Sequence, residues 1–586
     1  MGVRVAAWFL GALVVGSVTV ADPSGLAPFG PAKWLAISTL ALLGGGLALR
    51  NGQQPIHRPT LQLWVVLLAF LAFGALFGGD IPTALLGEPT RHLGLITWML
   101  FLLLFCAGQQ LSGAAQTEII TRGAVIATLL IGVWASWELL IGPPIDIASN
   151  TDRLTGPFGS AALLGAATCL LVPICVSMAV QRTTTRSWRW AAALATFLGT
   201  TALIGSGSRA AWLATAVLVI VVVVVGRRPS RWLVIGGVGI LALAAALLAP
   251  RLTDVLDRSE GFGSRLDEWA VAARVISEHP GIGVGPEGYR IAVSEGVDRH
   301  YERTYGRDRV LPDRAHSGPL DVALAGGVPA ALAFCALIGF VGWPALGLLR
   351  AGGGPIAGIA AGIIAYSVQQ LLLFPLAELD PIWWLLAGIV VVADSNAAPA
   401  LERVAVRRLI AGGALILAPV ALVAGVLDVA ADRLAHHAVV DTDATGAIDA
   451  AERAVDQRPD NLRYRMVLAQ VLGGRSTLAD IDAAIGQADL ALDWSPHDPI
   501  AADVHASFLL DRANVTGQPA DISIALAAWQ RLVDRDPLRA RWQLQLGRAA
   551  ALTGDVKAAR EAWTVAADLS PDDATAADLL RELDSL

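Results

Sequence analysis

The residues best suited to chemistry in this sequence are one histidine and several arginines that lie between apolar runs. His316 stands in the segment DRAHSGP, just before an apolar run that Pro319 helps to start as a helix. The partial positive charge at a helix N-terminus disfavours an imidazolium, so the segment predicts a neutral imidazole that accepts a proton. A lone histidine is more often structural than catalytic. Its place at a predicted membrane boundary, between Asp313–Arg314 and a helix start, favours catalysis.

Four arginines are predicted to lie at the same face of the protein as this histidine. They occur in the segments EPTRHLG, RLTGPFGS, SGSRAAWL and GSRLDEW, as Arg91, Arg153, Arg209 and Arg265. Arg209 lies between two apolar runs with almost no loop, and a charge so close to hydrocarbon is by default a functional candidate. Guanidinium groups bind phosphates bidentately, so this cluster suits a diphosphate. The alternative is four unrelated interface arginines.

One polar segment, at about 250–317, is much longer than a membrane hairpin requires, and long loops in compact proteins are usually functional or disordered. A helical pattern from Ser264 to His279 argues against disorder, and a turn rich in glycine and proline follows it. The apolar positions Leu266, Trp269, Ala270, Ala273 and Ile276 recur at helical spacing. They predict a surface helix with Arg265 and Glu268 on its polar side. The alternative is a helix that only caps the bundle.

Metal, cofactor and disulfide chemistry find no support in the sequence. The four cysteines (Cys106, Cys169, Cys175 and Cys335) lie in apolar runs without metal-ligand spacing. No phosphate-binding loop or nucleotide fingerprint occurs, and no acidic metal motif stands out in the polar loops. We therefore expect a site without a metal, no cofactor, and no nucleic-acid partner.

The elements that must position these residues are membrane helices. Of the 586 residues, 55 % are hydrophobic and only 16 % charged. Runs of about 18 or more apolar residues recur up to about residue 430, each long enough to cross a bilayer. The sequence predicts an all-α, polytopic bundle of about thirteen spans. They lie near 5–21, 33–49, 62–79, 93–111, 119–141, 160–181, 189–205, 209–226, 232–249, 318–349, 355–376, 380–394 and 408–431.

The distribution of arginine predicts the orientation of the bundle, because cationic residues in short loops stay cytoplasmic. Alternate loops are rich in arginine, and all of them fall on one side if the N-terminus is cytoplasmic. They carry Arg50, Arg58, Arg122, Arg182, Arg186, Arg189, Arg227, Arg228, Arg231, Arg350, Arg403, Arg407 and Arg408. The long loop and the C-terminal tail are then extracytoplasmic. The first apolar segment also resembles a cleaved signal peptide, although an uncleaved span fits the many later spans better.

The tail from about residue 433 is predicted to be a separate soluble domain. Residues 433–586 carry a net charge of −9, against +2 for the remainder. Four copies of a pattern of two small or apolar residues and a proline follow one another at intervals of 37, 41 and 34 residues. The copies are Ala447/Ala454/Pro459, Ala484/Ala491/Pro496, Ala525/Leu532/Pro537 and Ala559/Ala566/Pro571. The pattern resembles tetratricopeptide repeats, and such an α-solenoid offers a groove for a protein partner.

Residues of about 85–395 resemble the O-antigen ligase and polymerase superfamily of bacterial membrane glycosyltransferases. The resemblance rests on an ordered series that begins at Arg91 and continues through RLTGPFG, SGSRAAWL, GSRLDEW…HPGIGVGPEGY and AHSGPLDVALAGG. One departure is Ser317, because the family usually has asparagine after the histidine. The resemblance implies a GT-C-like transferase domain at 1–432 in the inner membrane.

The resemblance also implies roles for the candidate residues. Arg209 and Arg265, with Arg91 and Arg153, would bind the diphosphate of an undecaprenyl-linked saccharide, and His316 would orient or deprotonate the acceptor hydroxyl. Supporting candidates are Asp313, Arg314, Ser208 and Tyr289. The expected reaction is metal-independent and inverting, and the acceptor is a glycan, a glycolipid or a protein. A polysaccharide polymerase and a protein O-oligosaccharyltransferase remain alternatives within this class. Outside it, the alternatives are a transporter or lipid flippase and a membrane scaffold whose repeats recruit other enzymes.

Overall fold

The computed structural model describes residues 2–145, 153–225, 262–307, 311–393, 400–401, 404–441 and 443–585. Within these ranges the chain is helical apart from turns, one 3-10 turn (Gly156–Phe158) and a short antiparallel pair, β1 (Ile56–His57) with β2 (Ala400–Leu401). The all-α class is confirmed for these residues. The predicted span at 232–249 lies outside them.

The first part of the chain forms a bundle of apolar helices. They are α1 (Gly2–Thr19), α2 (Pro31–Asn51), α3 (Arg58–Phe77), α4 (Ile81–Leu86), α5 (Leu95–Gln109), α6 (Ala114–Leu140), α7 (Ala161–Val180), α8 (Arg186–Gly205) and α9 (Arg209–Val225). The long loop contributes α10 (Phe262–Glu278), α11 (Tyr289–Gly296) and α12 (Arg299–Tyr305). The bundle is completed by α13 (Gly318–Ala351), α14 (Pro355–Gln369), α15 (Asp380–Ala393) and α16 (Val404–Val440).

Seven of the described helices are long and apolar enough to cross a membrane, namely α1, α2, α3, α6, α7, α13 and α16. Four more, α5, α9, α14 and α15, are apolar but shorter. Each predicted span within the described residues contains a helix, although the span predicted at 355–376 extends beyond α14 and the predicted total of thirteen is not confirmed. Together these helices fit a polytopic membrane bundle.

Large aromatic side chains fill the centre of the bundle. Trp64 of α3, Phe105 of α5 and Trp384 of α15 are fully buried. The ring centroids of Trp64 and Trp384 are 4.5 Å apart in an edge-to-face arrangement, and Phe105 meets Trp384 at 6.0 Å. Such pairs contribute about 0.5–1.5 kcal/mol beyond the burial of their area. They fix α15, and with it the loop 371–379 that precedes this helix.

The turn after α10 is locked onto the bundle by a close approach of two backbones. The backbone N–H of Val284 donates to the carbonyl of Leu324 in α13 at 2.7 Å. Gly283 has a φ of 66°, and a Cβ there would lie 2.3 Å from the same carbonyl oxygen. In α13 itself, Gly327 has a φ of 78°, which breaks the long helix into two segments. Only glycine meets these requirements without strain.

Helix α10 turns its charged residues towards the rest of the protein. Leu266, placed on the predicted apolar face, is 49 % exposed, whereas Ala272 and Val275 are buried. Arg265 and Glu268 precede these two residues at helical spacing, so they share the buried face. The two charged groups turn towards other polar groups of the protein, which the apolar pattern alone does not show.

The C-terminal part consists of helices that each pack on the next. They are α17 (Ala444–Gln457), α18 (Leu462–Gly473), α19 (Leu478–Trp494), α20 (Pro499–Thr516), α21 (Pro519–Arg535), α22 (Ala540–Leu552), α23 (Val556–Leu569) and α24 (Ala574–Ser585). We call residues 444–585 the C-terminal repeats. The paired small residues of the sequence pattern are buried in them. Helix α16 continues through residues 432–433, and its Ala431 and Ala435 pack against α17 and α18.

Candidate functional site

The candidate site lies at one end of the bundle, where residues 311–317 meet the loop 371–379. The ring of Phe374 stands at its centre. The imidazole of His316 meets this ring edge-on, with centroids 5.4 Å apart. The guanidinium carbons of Arg91 and Arg314 lie 5.0 and 5.7 Å from the ring centroid, within the range of cation–π attraction. Residues far apart in the sequence thus gather on one aromatic side chain.

A carboxylate at the start of α13 sets the conformation around the histidine. Asp321 accepts hydrogen bonds from the backbone N–H groups of Ala315 (2.8 Å) and Ser317 (3.2 Å). Between them His316 has a φ of 53°, in the left-handed region that costs a non-glycine residue about 1 kcal/mol or more. Strain of this kind persists where the surroundings impose it and is common at functional sites.

The histidine is neutral near pH 7. Burial lowers the pKa of His316 to about 4, the positive charges of Arg265, Arg91 and Arg314 add to this effect, and Asp313 opposes it. The sequence predicted a neutral imidazole on the ground of the helix N-terminus, whereas burial and neighbouring guanidinium groups are the main causes here. A neutral imidazole can accept a proton or a hydrogen bond from a hydroxyl group.

Two of the arginines are each paired with a carboxylate. Arg91 Nε lies 2.6 Å from a carboxylate oxygen of Asp313, and both side chains are about one-third exposed. Arg314 and Glu287 are both buried, with Nη2 2.5 Å from Oε1. Glu287 raises the pKa of Arg314 against the effect of burial. The first pair is open to solvent, so an incoming anion can compete with Asp313 for Arg91.

Arg265 reaches the same place from α10. Its Nη1 donates a 2.6 Å hydrogen bond to the carbonyl of Leu372, in the loop that carries Phe374. Burial lowers the pKa of Arg265, with a further contribution from the charge of Arg209. Glu268, one turn further along α10, has its Oε2 buried without a hydrogen-bond partner among the described residues. Burial raises the pKa of Glu268 to about 7.

The remaining candidates lie beside this group or in packed positions. Arg153 Nε donates to the carbonyl of Ser206 at 3.0 Å, in the turn that leads to Arg209. Arg209 begins α9 and is exposed. Ser208 is buried, and its side chain lies against Gly165 of α7. Tyr289 is buried in the apolar core that α10 and α11 share, so it supports packing.

Several residues of the site escaped the sequence interpretation. Leu372 and Phe374 fell inside the predicted span 355–376, but α14 ends at Gln369 and the chain is not helical again until Asp380. An aromatic ring of the site cannot be recognised within an apolar run, because hydropathy does not distinguish such a ring from a lipid-facing ring. Glu287 lies in a turn with a φ of 62°, and only its contact with Arg314 reveals its role.

The arrangement places guanidinium groups around a neutral imidazole at the end of an apolar bundle. Such a site can bind a polyanion and accept a proton from a hydroxyl group. Among the described residues, no group of three or more histidine, cysteine, aspartate or glutamate side chains is placed to hold a metal ion. The sequence-based expectation of a metal-independent reaction stays a prediction.

Comparison with known proteins gives one family. Residues 194–335 match the family model described as O-antigen ligase. No curated protein matches the chain. The matched region contains Arg209, Arg265 and His316, whereas Arg91 and Phe374 lie outside it. The match and the apolar helices point to a multi-pass membrane protein, and residues 194–335 are similar to the O-antigen ligase family.

Proposed function

We propose that this protein is a membrane glycosyltransferase of the O-antigen ligase type. It transfers a saccharide from an undecaprenyl diphosphate carrier to an acceptor hydroxyl group on the extracytoplasmic face, without a metal ion and with inversion at the anomeric carbon. The observation that carries the proposal is the convergence of Arg91, Arg265 and Arg314 on the neutral His316 and Phe374, partly within the region matched by the family model.

The diphosphate of the donor binds the arginines that are open to exchange. Arg265 is held by a carbonyl group, Arg91 by a partly exposed carboxylate, and Arg209 is exposed. Each can turn towards a phosphate, for which its planar group provides bidentate hydrogen bonds. As the glycosidic bond breaks, negative charge grows on the leaving diphosphate, and these groups stabilise it. Arg153 supports the turn that leads to Arg209.

The acceptor hydroxyl group approaches His316 on the side opposite the leaving group. The neutral imidazole accepts the proton or orients the hydroxyl group as the new bond forms. Binding of the anionic donor beside His316 raises its pKa, because it offsets the arginine charges that depress it. The donor thereby improves the base that the reaction uses.

The C-terminal repeats resemble tetratricopeptide repeats, and we assign them to the extracytoplasmic side together with the site. Their buried small residues recur at the predicted positions, and each proline of the pattern stands between two helices. They would select the acceptor or a protein partner in the envelope. Among the described residues, the arginines at the end of α2 (Arg50), the start of α8 (Arg186) and the end of α13 (Arg350) lie at the helix ends opposite the site, which agrees with a cytoplasmic N-terminus.

The test uses the purified full-length protein in lipid with an undecaprenyl diphosphate oligosaccharide and a candidate acceptor. We expect His316→Ala to lower kcat by about 10²- to 10⁴-fold and Arg265→Ala to lower it by about 10²- to 10³-fold, with the thermal unfolding profile unchanged. His437→Ala and Arg581→Ala, at exposed positions of α16 and α24, serve as matched controls. Normal turnover by the His316 and Arg265 variants would refute the proposal. Product mass separates a ligase (one addition) from a polymerase (a ladder).

A further inference from the structure

The C-terminal repeats dock on the rest of the chain through the same structural element, used repeatedly. Three of the four turns that join two helices around a proline contact the bundle or its long loop. The first turn contributes Arg458, 2.7 Å from Asp428 of α16. In the second turn, Ser495 donates to Asp80, which precedes α4, and Asp498 contacts α11. The third turn contributes Asp536, described below.

The contact of the second turn is a buried ion pair. Arg290 Nη2 of α11 lies 2.5 Å from Oδ2 of Asp498, and the two side chains are 8 % and 0 % exposed. Neither Nη2 of Arg290 nor Oδ2 of Asp498 has a hydrogen-bond partner among the described residues, so the contact is an ion pair. The other carboxylate oxygen of Asp498 caps α20, since it accepts from the N–H groups of Ile500 and Ala501 at 2.9 Å. One aspartate thus serves its own helix and the loop at once.

The third turn holds the other end of the loop. The guanidinium group of Arg307 is fully buried and binds both carboxylate oxygens of Asp536, at 2.7 and 3.0 Å. Its Nε lies 2.5 Å from Glu302 of α12. The second oxygen of Glu302 accepts from the N–H of Ala540 in α22 at 3.4 Å. Every charge in this group has a partner of opposite sign.

A short series of contacts leads from the second turn to the candidate site. Arg290 is three residues from Glu287, and both flank the start of α11. Glu287 pairs with Arg314, which lies over Phe374 and stands two residues before His316. Arg307 lies in the same loop, a few residues before Asp313. The loop between α10 and α13 is therefore held by buried ion pairs with the repeats at two points and by the site at a third.

We propose that the C-terminal repeats position the site: Asp498 and Asp536 are positioning residues that hold α11 and α12, and Asp498 fixes the place of His316 through Arg290 and the Glu287–Arg314 pair. The inference rests on the proposed function for its activity readout. The repeats are then part of the working enzyme in addition to any role in binding a partner. Buried ion pairs contribute little net stability but impose one geometry on the groups they join, which suits this role.

The test uses the full-length protein in lipid and the variants Asp498→Asn, Arg290→Met and their combination. Asparagine keeps the cap of α20 and the volume of the side chain but removes the charge. We expect Asp498→Asn to speed hydrogen exchange of the backbone amides at 311–317, and to lower kcat, by about 2- to 30-fold each, with the KM for the donor nearly unchanged. The double variant removes both buried charges, so its thermal stability recovers while fast exchange and low kcat persist.

Asp568→Asn is the matched control, because Asp568 binds Arg299 and Arg303 of the same loop at an exposed position. We expect less than about a twofold change in either measurement. Unchanged exchange at 311–317 in Asp498→Asn would overturn the inference, as would recovery of kcat together with stability in the double variant. If the wild-type protein transfers no saccharide, the proposed function fails, whereas the hydrogen-exchange comparison still decides whether the repeats hold the segment.

Discussion

The arginines in or in contact with the loop between α9 and α13 are of two kinds, which differ in how completely their charge is paired. On the side of the C-terminal repeats, Arg290 and Arg307 are buried, and each is neutralised by carboxylate oxygens within 3.0 Å. On the side of the bundle, Arg265 is partly buried and hydrogen-bonded to a carbonyl, while Arg91 meets a carboxylate that is one-third exposed. An arginine whose partners are complete and buried holds structure together. One whose partner is weak or open to solvent can receive a ligand.

The largest effect is expected on the repeat side. Arg307→Ala leaves Asp536 and Glu302 buried without their counter-ion, and uncompensated buried charges are strongly destabilising. We expect the free energy of unfolding to fall by about 3–5 kcal/mol, measured by chemical denaturation of the purified protein. A loss below about 1 kcal/mol is typical of an exposed ion pair. It would show that Arg307 stabilises the protein no more than the arginines on the side of the bundle do.

A smaller effect, on binding and not on stability, is expected at the site. If the proposed function holds, Arg91→Ala removes one charge-assisted contact to the donor, worth about 1.5–3 kcal/mol. We expect the KM for the donor to rise by about ten- to hundredfold and the free energy of unfolding to change by less than about 1 kcal/mol. Arg91→Lys keeps the charge but not the planar fork, so its KM should lie between those of the wild type and the alanine variant. Marked destabilisation by Arg91→Ala would show that this arginine is structural.

The most delicate test concerns the charge state of His316. Because its pKa is lowered to about 4, the imidazole remains neutral and reactive towards diethyl pyrocarbonate well below pH 6.5. The unfolded chain binds this proton more readily than the folded protein, so the contribution of His316 to stability falls as pH drops from about 6.5 towards 4. Arg265→Gln removes a positive neighbour and should move the reactivity profile to higher pH. Modification is followed by mass spectrometry. A reactivity profile that stays at the same pH in Arg265→Gln would show that Arg265 does not influence the charge of His316.

The apolar pattern predicted the helices well, because burial in lipid demands long runs of apolar residues whatever their neighbours are. The apolar pattern failed where an apolar side chain packs against other parts of the protein and not against lipid. The span predicted at 355–376 included Phe374, which lies in the loop after α14. Hydropathy measures whether a residue avoids water and carries no information on which neighbour it meets.

The sequence by itself determined the helical membrane class, the small-residue pattern of the C-terminal repeats, and the chemical types at the site, since arginine suits phosphate and histidine suits proton transfer. Only the tertiary structure decided how they are used. It brought Arg91, Arg314 and His316 to one aromatic ring and turned Arg265 and Glu268 towards them. It also separated the arginines that bind the repeats from those open to a ligand. That distinction depends on the distance and burial of carboxylates far away in the chain, and local sequence does not encode either.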